Sequence, residues 1–93
     1  MKEDLLKIIN NYGVIPQLKY FQSEVFELNE AIIEYENECY YCVPSTKHIE
    51  EEFADCMVML EQFKAYYNLD NDKIIDIMKF KIDRQLDRMK EEK

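Results

Sequence analysis

Glycine occurs once in the 93 residues, at Gly13, and proline twice, at Pro16 and Pro44. Sheets joined by tight hairpins draw on these residues at most turns, because few others reach the required backbone angles cheaply. Helices with short polar connections do not need them. The chain is therefore expected to be all-α. Its length leaves room for a single domain spanning 1–93, with one core that gains from pairing with copies of itself.

The apolar spacing divides the chain into four helices. The first runs from about Lys2 to Tyr12, with Leu5, Ile8 and Ile9 on one side and Gly13 as its C-cap. Pro16 fits the first turn of the second, which extends to about Glu36. Its stripe of Leu18, Phe21, Val25, Leu28, Ile32 and Tyr35 alternates steps of three and four. Residues 37–46 show no period and are read as a loop. Ser45 or Thr46 can cap the third helix, whose stripe is Ile49, Phe53, Cys56, Leu60, Phe63 and Tyr67. Asn68 and Asp70 end it. The fourth helix begins near Asn71, with Ile74, Ile75, Met78, Ile82, Leu86 and Met89 expected to face inward.

Charge narrows the function. Twelve Lys and Arg stand against 20 Asp and Glu, a net charge of −8, which excludes wrapping a nucleic-acid backbone. An acidic chain still binds a polyanion if a cation sits between them. No apolar run approaches the length of a membrane span, so a soluble, cytoplasmic protein is expected. Three cysteines, an odd number, suit a reducing compartment. Cys39-Tyr-Tyr-Cys42 has the spacing of a redox pair or half a zinc site, but only His48 and Cys56 remain to complete four ligands. Two thiols in a loop is the preferred reading.

Four carboxylates stand out by position. Glu24 and Glu27 are three apart on the second helix, and Glu52 and Asp55 three apart on the third. At about 100° per residue, Glu24 lies roughly 70° and Glu27 roughly 130° from the centre of the second helix's stripe. Glu52 and Asp55 lie roughly 60° and 120° from the third helix's stripe, on the same rotational side. Antiparallel helices packed stripe to stripe bring such flanks to one groove; parallel helices would separate them. Four carboxylates meeting in one groove repel, and a divalent cation resolves the repulsion. Oxygen-only ligation favours Mg²⁺, Mn²⁺ or Ca²⁺ over zinc. The blander reading is a solvated acidic flank.

The run Ser23-Glu24-Val25-Phe26-Glu27-Leu28-Asn29-Glu30-Ala31-Ile32, with Glu51-Glu52-Phe53-Ala54-Asp55 after it, resembles the MazG-like, all-α nucleoside triphosphate pyrophosphatase pattern. That pattern is Glu-Glu-x-x-Glu, a variable spacer, then Glu-x-x-Asp. The tail from Lys79 to Arg88 is similar to the basic last helix of small phage and Firmicute members. One departure is plain: Ser23 stands where the pattern has its first Glu.

The resemblance implies a four-helix bundle that dimerises, sometimes as a dimer of dimers. It implies hydrolysis of a nucleoside triphosphate to the monophosphate and pyrophosphate, with Glu24, Glu27, Glu52 and Asp55 as Mg²⁺ ligands and catalytic groups. Lys81 and Arg84, three apart on the fourth helix, can share a face and contact phosphate. The alternative is a non-catalytic module of the same fold that binds a nucleotide or a protein without cleaving it, and Ser23 is the residue that favours it.

Overall fold

The computed structural model describes residues 1–38 and 45–92, so Cys39 and Cys42 lie outside the described residues. Four helices follow in order: α1 (Lys2–Tyr12), α2 (Val14–Glu38), α3 (Lys47–Tyr66) and α4 (Asn71–Glu91). Among the described residues there is no strand.

Local chemistry explains the breaks. Gly13 ends α1 at φ 94°, a backbone region that costs a side-chain-bearing residue heavily, while its N–H still donates to the Ile9 carbonyl. Pro16 falls inside the first turn of α2, where its missing N–H loses nothing. Thr46 occupies the N-cap of α3, but its hydroxyl donates to Glu50 Oε1 at 2.8 Å instead of accepting from the helix. Ser45 Oγ accepts from the Lys47 N–H at 3.1 Å. At α4 the Asp70 carboxylate accepts from the N–H groups of Asp72 and Lys73 at 2.9 and 3.2 Å. Asn68, at φ 51°, turns the chain between α3 and α4.

Helices α2 and α3 are antiparallel, as His48 lies near Glu34, Phe21 meets Phe63 and Gln17 meets Gln62. Helix α1 also runs opposite to α3: Lys2 reaches Asn68, while Ile8 and Tyr12 line a cavity with Asp55 and Met59.

The packed seam is rotated from the hydrophobic stripes. On α2 the buried residues are Gln17, Glu24 and Ala31; on α3 they are Cys56, Met59 and Gln62. Leu18, Ile32, Phe53, Leu60 and Tyr67, expected inside, are exposed. The stripes therefore do not meet centre to centre. Each helix turns its acidic flank towards the seam and leaves part of its apolar face uncovered.

Helix α4 departs further from expectation. Its first residue, Asn71, accepts from Lys64 of α3 at 2.7 Å, but beyond that it packs against none of the other three helices and contains no buried residue. Ile75, Met78, Ile82, Leu86 and Met89 are exposed, and Ile74 is half-buried. The bundle within one chain is thus three helices with a fourth projecting from it. The radius of gyration is 17.0 Å, against about 12 Å for a compact chain of this length. The accessible surface is 7844 Å², against about 5,700 Å² for a folded monomer of this mass. No described helix is long and apolar enough to cross a membrane.

Candidate metal centre

Glu24 lies midway along α2, at a position that faces α3, and is only 9% exposed. A carboxylate this buried carries a desolvation cost unless something compensates its charge. Opposite it, Glu52 and Asp55 are three apart on α3, so their side chains leave the helix on one side. One carboxylate oxygen from each of Glu24, Glu52 and Asp55 lies within 4.8 Å of the others. Burial is graded across the group: Glu24 is buried, Glu52 half-buried and Asp55 exposed. One end is fixed in the protein and the other is open to solvent.

Such a set can hold a metal ion. The donors are all carboxylate oxygens, which suits a hard divalent cation, and their number leaves coordination positions for other oxygens.

The fourth carboxylate is not gathered with them. Glu27 is exposed and stands outside the group. It sits further round α2 from the seam than Glu24, so the rotation that buries Glu24 leaves it at the rim. Lys81 and Arg84 are exposed on α4, which packs against neither α2 nor α3. The Arg84 guanidinium lies 5.9 Å from the ring centre of Phe80, a cation–π contact within its own helix.

Residues around the group respond to its charge. Glu24 raises the pKa of the Tyr20 phenol, through hydrogen bonding first and its charge second. Desolvation and the charges of Asp55 and Glu52 act in the same direction. The Cys56 thiol is buried beside the group; burial first, then Glu24, Asp55 and Glu52, push its pKa up.

His48 was not singled out as part of this site from sequence. Its Nε2 lies 3.5 Å from Glu52 Oε1 and its Nδ1 lies 3.9 Å from Glu34 Oε2, so it bridges α3 to α2 one turn before Glu52. The i, i+4 spacing to Glu52 was the available signal. Gln17 and Gln62 were also missed. Gln17 Nε2 donates to Gln62 Oε1 at 2.8 Å across the buried seam, and Gln62 Nε2 lies 3.7 Å from Met59 Sδ. Polar residues one helical turn from the apolar Phe21 and Met59 were their only mark.

Beside the carboxylates a cavity of about 540 Å³ opens between α1, α2 and α3. Asp55 and Tyr20 belong to both the cavity wall and the charged group. Compared with protein-family models, with curated proteins and with solved structures, the chain matches none.

Proposed function

We propose that the chain is a Mg²⁺-dependent nucleoside triphosphate pyrophosphohydrolase of the MazG-like, all-α kind. The observation that carries this reading is the meeting of Glu24, Glu52 and Asp55 oxygens within 4.8 Å. It supports a cation site, and the order of these residues in the sequence supports the family.

In this reading Glu24, Glu52 and Asp55 would hold Mg²⁺, with Glu27 at the rim of the same group. Bound there, the ion would supply charge neutralisation for a triphosphate whose α-phosphorus is attacked by water with loss of pyrophosphate. One of these carboxylates, with Asp55 the most exposed of the three, would take the proton from that water.

Lys81 and Arg84 contact phosphate from the fourth helix of a second copy, because their own helix does not approach these carboxylates. The surface excess of roughly 2,000 Å² over a compact monomer is what a homodimer or homotetramer would cover, since obligate interfaces bury about that much or more.

The test is pyrophosphate release from a panel of ribo- and deoxyribonucleoside triphosphates, with Mg²⁺ and with chelator. Release that requires the metal and is lost in Asp55→Asn supports the reading. Metal-dependent binding without release on every substrate would leave the non-catalytic module, which Ser23 favours, in its place.

A further inference from the structure

Residues 67–70 are all that separates α3 from α4, and none of them is glycine. Asn68 takes the left-handed backbone, at φ 51°, just past the end of α3. Its N–H donates to the Ala65 carbonyl at 3.3 Å, and the next N–H, of Leu69, reaches back to the Lys64 carbonyl at 3.0 Å. These are the two backbone bonds of a Schellman closure, in which a left-handed residue ends a helix and turns the chain off its axis. Asp70 follows at once as the N-cap of α4, its carboxylate accepting from the N–H groups of Asp72 and Lys73. A stop signal and a start signal thus stand side by side, with Leu69 alone between them.

Side chains from the body hold both ends of this corner. Lys2 of α1 donates to Asn68 Oδ1 at 3.3 Å, and Lys64 of α3 donates to Asn71 Oδ1 at 2.7 Å. The direction in which α4 leaves is therefore set by the backbone and two lysines. Packing does not set it, because α4 packs against no other helix among the described residues. Apolar side chains pull the opposite way. Ile75, Met78, Ile82 and Leu86 are exposed on α4, and Phe53, Met57 and Leu60 are exposed on α3 of the same chain. A flexible connection would let hydrophobic burial fold one set onto the other.

We propose that this corner is a conformational lock, holding α4 off its own three-helix body so that its apolar stripe stays available to contacts outside the chain. Asn68 is the residue on which it turns. Asparagine enters the left-handed region more readily than most residues that bear a side chain, and its amide oxygen here also receives Lys2. A β-branched residue at this position disfavours the open corner by roughly tenfold. The lock involves neither the carboxylates nor any ligand of theirs, so it stands apart from the hydrolase reading.

The experiment reads contacts within one chain. The full chain, labelled with ¹³C at its Ile and Leu methyl groups, is mixed with a large excess of unlabelled chain. Nuclear Overhauser effects between labelled methyls then arise inside a single molecule. The parent is expected to show none between Ile82 or Leu86 of α4 and Ile49 or Leu60 of α3. Asn68→Val is expected to show them, with backbone shifts confirming that α4 remains helical. Asn68→Gly, which keeps the left-handed region accessible, is expected to behave as the parent. Inserting two glycines between Leu69 and Asp70 relaxes the corner while keeping every native side chain, and should also let α4 close. This insertion decides the matter if Asn68→Val does not fold. Intrachain contacts already present in the parent, their absence from both relaxed variants, or closure of Asn68→Gly to the extent of Asn68→Val would each overturn the lock.

Discussion

Phe21 and Phe63 meet edge to face across the α2–α3 seam, their ring centres 5.7 Å apart and their planes at 79°. This pair fixes the axial register of the two helices, and Glu24 lies one turn along from it. Replacing Phe63 with Ala removes the contact and leaves a void. The rings are half-buried, so the expected cost is about 2 kcal/mol, below the 3–5 kcal/mol usual for a fully buried Phe. Denaturant unfolding measures it, and a loss under 0.5 kcal/mol would show that the pair does not set the register.

Three carboxylates gathered at a seam would gain from a cation that joins them. Mg²⁺ is expected to stabilise the folded chain by mass action, by about 2.7 kcal/mol at a hundredfold excess over its Kd, and so to raise the melting temperature. Glu24→Gln removes the most buried charge. It is expected to melt no lower than the parent in chelator and to gain little from Mg²⁺. Calorimetric scans with and without metal read both outcomes, and an undiminished Mg²⁺ shift in this variant counts against the site.

Alkaline pH should expose the strain around Cys56. Its thiol is held above its ordinary pKa by burial and then by Glu24, Asp55 and Glu52. The unfolded chain therefore gives up that proton at lower pH than the folded chain does. This contribution to stability is fully present below the unfolded thiol pKa, about 8.5, and is lost as pH rises through the folded value. Tyr20, also raised, adds a loss of the same sign beginning near pH 10. Unfolding midpoints between pH 7 and 11 should fall less steeply for Cys56→Ala and for Tyr20→Phe than for the parent. Parallel curves would contradict the assigned shifts.

Helix α4 leaves Ile75, Met78, Ile82 and Leu86 uncovered, and α2 and α3 leave Leu18, Phe53 and Leu60 in the same condition. Sedimentation is expected to give at least twice the 11.3 kDa chain mass. Ile82→Glu should shift it towards the single chain and lower the melting temperature. A parent that sediments as one chain at micromolar concentration would contradict assembly through this face.

Helix identity and direction were legible because each rests on local chemistry. Gly13, Asp70 and Asn68 punctuate the chain, and the three-and-four spacing marks every helix. That Glu24 meets Glu52 and Asp55 was conditional on an antiparallel pair of helices, given which their shared rotational side brings them together. What the stripes could not show is the angle at which two helices settle. Ala31 and Met59, which lie outside the stripes, are buried, whereas Leu18, Phe53 and Leu60, read as core, are exposed. A hydrophobic face records that cover is needed and not which segment supplies it, so α4 was placed inward although its own chain leaves it bare. Glu27 shows the same limit at one residue, since a turn of the seam separates it from the oxygens it was grouped with. Gln17 and Gln62 were illegible because amides on an apolar face look alike whether they meet a partner or water.

Asp55 borders both the cavity and the carboxylate group. Whatever occupies one compartment alters the field felt in the other, so the two occupancies are thermodynamically linked. If a cation tightens the hold on a neighbouring molecule by some factor, that molecule tightens the hold on the cation by the same factor. An anionic guest would gain from a filled carboxylate group and suffer from an empty one, an ordering of arrival built into a single side chain.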